Sequence, residues 1–260
     1  QMFFHRGRYV VLFDDAREGD PRIFAQLVSA EGQMIGDNVA LSAPGTYAEY
    51  PAVAATERRF GVAYTTLDED GGSPRVGLEF VTFDQEFGGA GNVVVLATDD
   101  VRGVRVTALG DRFVVTWDRF SGADPADSLY GAVLAEDGSV LVSPRAVTTS
   151  APHARSQGTL SLGDRLLLVW SDDLAGSYEL YGQVVDGNLG IVEPRRQLTQ
   201  GGFLSTQAVL AVSDNGRVVA AFDQYLPEHH AFYLSFGCQA PPDDCSTCSC
   251  ADCPDCCVVR

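Results

Sequence analysis

The run FVVTW at Phe113–Trp117 decides the fold, because the chain repeats it. Its counterparts are YVVLF (Tyr9–Phe13), FGVAY (Phe60–Tyr64), LLLVW (Leu166–Trp170) and VVAAF (Val218–Phe222). Each is a short apolar run closed by an aromatic residue. The closing residues Phe13, Tyr64, Trp117, Trp170 and Phe222 stand 51, 53, 53 and 52 residues apart. A second set of markers, Ile23-Phe24, Val76-Gly77, Leu129-Tyr130, Leu180-Tyr181 and Phe232-Tyr233, is spaced by 53, 53, 51 and 52. Two independent markers that hold one period identify an internal repeat of about 52 residues.

Each unit contains further strands. One precedes the aromatic run, at Met2–His5, Ala52–Ala55, Val104–Leu109, Thr159–Leu162 and Gln207–Val212; another ends the unit, at Val39–Ser42, Val93–Ala97, Arg145–Thr149 and Arg195–Thr199. Turn formers fill the joins, as at Gly110-Asp111, Gly163-Asp164 and Asn215-Gly216, the last a two-residue hairpin signal. Alternation of Phe113, Val115 and Trp117 suits strands packed between stacked sheets. The segment 23–35 could pass for a helix, but its repeat mates contain Gly77, Gly131 and Gly182, which favour strand.

Four short strands per unit predict an all-β chain, a β-propeller of about five four-stranded blades over residues 1–237, with a Cys-rich tail at 238–260. The ends complicate closure, because the first blade starts abruptly at Gln1 and the fifth shows three evident strands. Either the last blade is short, or the tail supplies an edge, or the chain belongs to a longer propeller or self-associates through an open blade edge or the tail.

The units resemble secreted bacterial β-propeller repeats of the form W-x-D-x-R-x-G-x-x-D-I-Y-x-Q. Unit one matches at Phe13, Asp15, Arg17, Gly19, Ile23, Phe24 and Gln26, with Phe for Trp and Arg22 for Asp. Unit four matches at Trp170, Asp172, Gly176, Leu180, Tyr181 and Gln183, with Glu179 in the acidic position and Leu174 for Arg. Unit three keeps Trp117 and Tyr130 around a longer loop, and units two and five are degenerate. The resemblance implies a propeller in a secreted or cell-surface bacterial setting and says little about function.

Acidic residues outnumber basic ones 35 to 18, giving a net charge of −17, so a phosphate backbone would be repelled and nucleic acid is excluded as a partner. No apolar run reaches the ~18 residues of a transmembrane helix, and the opening residues do not read as a signal peptide, as expected of a mature or trimmed chain. All 18 basic residues are arginines, which excludes lysine-nucleophile chemistry.

The loops between second and third strands, 14–22, 65–75, 118–128, 171–179 and 223–231, share one rim and hold 15 of the 35 acids. That rim is expected to be strongly negative. Clustered carboxylates beside turns can supply the oxygens calcium needs, which makes Asp14, Asp15, Asp68, Asp70, Asp172 and Asp173 the metal candidates, although Asp also serves simply as a turn former. No stretch has the EF-hand spacing. The repeated aromatics read as packing between blades. Aromatics outside the repeat positions, Tyr47, Tyr50, Phe120, Tyr178, Phe203 and Tyr225, are the candidates for stacking on a sugar.

No nucleophile elbow, metalloprotease helix or phosphate loop is present. The tail holds Cys238, Cys245, Cys248, Cys250, Cys253, Cys256 and Cys257, spaced so densely that cross-links or metal must order it. Disulfides fit a secreted setting, and an odd count leaves one thiol over. Thiolate ligation of zinc or iron–sulfur is the rival reading. The sequence therefore reads as no enzyme but a binding or assembly module that meets a protein or polysaccharide at the cell surface. The alternative is a calcium-assisted, lectin-like propeller.

Overall fold

A computed structural model of the chain describes all residues except 18, 69–74, 99–100, 120–127, 149–153, 201–203, 213–216, 226–229 and 237–260. It is a five-bladed β-propeller. Blade one is β1 (Met2–His5), β2 (Arg8–Asp15), β3 (Arg22–Ser29) and β4 (Met34–Ala40). Blade two is β5 (Ala48–Ala55), β6 (Phe60–Asp68), β7 (Arg75–Phe83) and β8 (Val94–Ala97). Blade three is β9 (Val101–Leu109), β10 (Arg112–Arg119), β11 (Ser128–Ala135) and β12 (Val140–Ala146). Blade four is β13 (Arg155–Leu162), β14 (Arg165–Asp172), β15 (Glu179–Asp186) and β16 (Ile191–Gln197). Blade five contributes β17 (Leu204–Val212), β18 (Val218–Tyr225) and β19 (His230–Phe236). Every sheet is an antiparallel meander in chain order.

The strands β5, β9, β13 and β17 pack on one another and so form the inner wall, while the fourth strands lie outermost. On the inner wall Thr107 Oγ1 of β9 meets Thr159 Oγ1 of β13 at 2.6 Å, two residues one repeat apart. Blade five has three strands among the described residues, and a fourth would fall in 237–260, outside them. The tail cysteines, Asn215-Gly216, Phe120, Phe203 and Asp70 also lie outside the described residues.

Cores form between blades, not within them. One apolar cluster joins Val10, Leu12 and Ile23 of blade one to Phe60, Val62 and Tyr64 of blade two. Others join Phe80 to Phe113 and Trp117, Val114 and Leu129 to Leu166 and Trp170, and Val169 to Ala208 and Phe222. Alternation puts Phe3 on the face toward blade two and Met2 and Phe4 on the other, where they remain 64% and 56% exposed. The repeat aromatics also pair across the ladder inside a blade. Phe13–Phe24, Trp117–Tyr130 and Trp170–Tyr181 have ring centroids 5.9, 6.0 and 6.3 Å apart. Arg17, Arg119 and Arg195 lie over Phe24, Tyr130 and Tyr181.

In blade two Tyr64 pairs with Glu79 across the ladder, and its hydroxyl donates to Glu79 Oε2 at 2.9 Å. Two details differ from the sequence-based expectation. The outermost strands β4, β12 and β16 start about five residues earlier than read, because exposed edge residues lack the apolar signature. The inner strands β5, β9, β13 and β17 start three or four residues earlier. Polar residues, glycine or proline interrupt the alternation there, as at Glu49, Pro51, Arg102, Gly103 and Thr206, and there the site lies.

Candidate functional site

Each inner strand of blades two to five opens with a bulge. The register with the second strand shifts between Glu49 and Ala52, between Thr116 and Asp118 opposite β9, between Arg155 and Gly158, and between Thr206 and Val209. At three of them a residue adopts the left-handed region, Tyr50 (φ 52°), Gly103 (φ 59°) and Gln207 (φ 58°). Tyr50 and Gln207 do so at a cost of order 1 kcal/mol, since their Cβ crowds the backbone there. Bulges re-aim side chains, and strain of this kind concentrates at functional sites.

The bulges wall two cavities that share Arg102, Gly103 and Arg105. The first, about 790 Å³, is bounded by Gln1, Asp14, Tyr50, Thr65 and Val76. The second, about 430 Å³, is bounded by Asp118, Arg119, Ala154, Arg155 and Gln207. Together they lie at one end of the inner wall and have the size range of small-ligand sites.

Gly103 explains how Asp118 reaches the cavity. Asp118 belongs to the second strand, behind β9, and is 7% exposed. A Cβ on Gly103 would stand 2.6 Å from Asp118 Oδ2, so the absent side chain is the gap through which the carboxyl faces the channel. Asp14 occupies the corresponding strand of blade one and is exposed.

Four arginines, Arg102, Arg105, Arg119 and Arg155, and two aspartates, Asp14 and Asp118, border the joined cavity. Among the described residues the lining of the two cavities thus carries more positive than negative side chains. Arg155 lies over the Tyr178 ring at 4.2 Å, while Arg105 Nη1 donates to Val104 O at 2.9 Å.

Of the sugar-stacking candidates, Tyr50 is 73% exposed at the cavity and Tyr178 backs Arg155. Tyr47 is half-buried, and its hydroxyl donates to Glu49 Oε1 at 3.0 Å, which raises its pKa by holding the proton. Tyr225 ends β18.

Among the described residues the metal candidates do not converge. Asp14 and Asp15 point to opposite faces of β2, and Asp15 is held by Arg17 at 2.5 Å, a contact that lowers its pKa. Asp68 ends β6, opposite Arg75. Asp172 is fully buried, and among the described residues neither of its oxygens, nor the Trp170 indole N–H, has a hydrogen-bond partner. Burial pushes the Asp172 pKa up; Trp170 and the Leu174 amide oppose this without reaching hydrogen-bonding geometry, and the charge of Asp173 adds to it. Asp173 is half-buried, and its carbonyl accepts from Gly176 N at 2.8 Å. Among the described residues no group of three or more metal-ligating side chains forms. Nor, among them, is any helix long and apolar enough to cross a membrane.

Comparison with known proteins gives no matching family model and no matching curated protein. Solved structures do match. A thermostable family-43 glycoside hydrolase superposes with TM-score 0.54 at 11% identity, covering 92% of this chain and 89% of that one. The fold is shared with family-43 glycoside hydrolases. An α-L-arabinofuranosidase from Lactobacillus brevis gives 0.51 at 12% identity, covering 92% and 90%. A xylan β-1,4-xylosidase from Bacillus halodurans gives 0.52 at 11% identity, and there the chain spans only 52% of the other's length.

These matches overturn the expected non-enzymatic binding or assembly module and its lectin-like alternative, because the propellers this chain resembles are glycoside hydrolases. The physical reason for the error is plain. A propeller site is assembled from single residues on different blades, about one repeat apart, so no local motif announces it. Asp14 and Asp118 are 104 residues apart in sequence. The signal that could have found the site is the repeat itself, since Tyr50, Gly103 and Gln207 follow its period.

Proposed function

We propose that the chain is a carbohydrate-active enzyme that hydrolyses a polysaccharide in its central cavity, with Asp14 and Asp118 as the carboxylate pair. Glycoside hydrolysis needs two carboxyl groups flanking the scissile bond. One delivers a proton to the leaving oxygen, and the other activates water or attacks the anomeric carbon. The observation that carries the reading is the delivery of Asp118 through the Gly103 gap into the second cavity, which shares Arg102, Gly103 and Arg105 with the first, where Asp14 stands. Tyr50 borders the first cavity with Asp14 and has an exposed ring that can stack on a sugar face.

The test is release of reducing ends from arabinan, xylan and pectic polysaccharide by the wild type and by Asp14→Asn and Asp118→Asn. Each substitution should lower turnover at least about 100-fold, the usual scale for a positioned acid or base. Asp164→Asn, on the exposed turn between β13 and β14, should leave it unchanged. Wild-type protein that releases nothing, or full turnover in Asp118→Asn, would refute the reading.

A further inference from the structure

We infer that the saccharide held in this cavity carries negative charge, as a uronate or a sulfated sugar does, and that Arg105 and Arg155 are its specificity-determining residues. The inference rests on the hydrolase reading and adds the class of substrate.

The chain has a net charge of −17, yet among the described residues the two cavities are bordered by four arginines and two aspartates. A neutral glycan offers such a lining only hydroxyl acceptors, whereas an anionic one returns charge-assisted hydrogen bonds about twice as strong. Arg105 and Arg155 are the informative pair. They stand on adjacent inner strands, β9 and β13, border the same part of the cavity, and are both exposed. Among the described residues neither has a carboxylate within salt-bridge distance: Arg105 donates to a backbone carbonyl, and Arg155 rests on Tyr178.

Stacking is itself suggestive. With one face covered by the Tyr178 ring, the in-plane N–H fork of Arg155 is left to meet an oxyanion, and the ring limits the rotamers it would otherwise lose on binding. A guanidinium so prepared recognises a planar carboxylate or a sulfate by paired, charge-assisted hydrogen bonds.

Calorimetric titration of the whole chain with trigalacturonate, a sulfated trisaccharide and neutral arabinotriose tests this. At least one anionic probe should bind about 10-fold or more tightly than arabinotriose, and which one does so identifies the anion. Arg105→Gln and Arg155→Gln should each weaken that binding about 10-fold, with unchanged melting temperature, and raising salt to about 0.15 M should weaken it further. Arg165→Gln, outside the cavity, should bind like wild type. Equal affinity for neutral and anionic probes, or indifference to both arginine substitutions, overturns the inference. Cleavage of neutral arabinan or xylan together with that result would leave the hydrolase reading standing. Absence of turnover on every polysaccharide, with anionic binding intact, would instead remove the hydrolase reading and keep the anion site.

Discussion

Replacing Gly103 with alanine isolates the gap through which Asp118 reaches the cavity. The new Cβ would lie 2.6 Å from Asp118 Oδ2 and 3.0 Å from its Cγ, closer than real Cβ contacts allow. The backbone there is left-handed (φ 59°), so alanine also incurs roughly 1 kcal/mol of steric strain. Moving the buried carboxyl adds roughly another 1–2 kcal/mol, the usual cost of overpacking. For a chain of this size the total of roughly 2–3 kcal/mol corresponds to a fall in melting temperature of about 4–10 °C. Gly110→Ala is the matched control, since Gly110 is also left-handed (φ 62°) but a Cβ there meets nothing within 4 Å. It should lose only the backbone part. Thermal melts of wild type, both alanine variants, Asp118→Ala and the Gly103→Ala/Asp118→Ala pair complete a double-mutant cycle. In the Asp118→Ala background the Gly103 substitution should cost no more than Gly110→Ala does. If Gly103→Ala and Gly110→Ala are equally destabilising in the wild-type background, the gap plays no part in placing Asp118.

Asp172→Asn should raise stability at neutral pH by about 1–3 kcal/mol, because it removes a buried charge without hydrogen-bond partners. Its pKa is raised in the folded state, so folding favours the protonated acid: the penalty is absent below the ordinary value of 3.8 and grows as pH rises through the folded value. Melts across that range should therefore show the gain of the Asn variant shrinking toward zero in acid, and a pH-independent gain would contradict the assignment. Thr148 and Thr199 occupy equivalent positions, accepting from Leu129 N at 3.3 Å and Leu180 N at 2.9 Å, but Thr199 also donates to buried Glu179 at 2.5 Å. Thr199→Val should thus cost roughly 2–3 kcal/mol against roughly 1 for Thr148→Val in chemical denaturation; equal losses would show that the Glu179 contact contributes nothing.

The propeller was legible because blade cores are periodic in sequence. Trp117 and Trp170 must fill one seam position, and their spacing survives even where Tyr64 and Phe222 replace them. The site was less legible for the opposite reason. Tyr50 and Asp14 stand out as an aromatic and an acid in loops, but nothing local distinguishes Asp118 from the other aspartates that open these loops. Its role depends on Gly103, fifteen residues away on the neighbouring strand. Arg105 and Arg155 carry no local signal, because acids dominate the loops, whereas the inner-strand bulges gather arginines that the sequence keeps about one repeat apart.

The placement of apolar clusters between sheets has an evolutionary corollary. A blade here has no core of its own, so a residue that fills a seam is tied to the blade next door more than to its own sheet. Phe113 of blade three lies against Gly61 of blade two so closely that a Cβ on the glycine would meet its ring at 2.7 Å. Bulk gained on one side must be surrendered on the other. Duplicating a blade would therefore copy half of two seams and match neither neighbour, and divergence among the repeats should follow adjacent pairs around the ring instead of proceeding blade by blade.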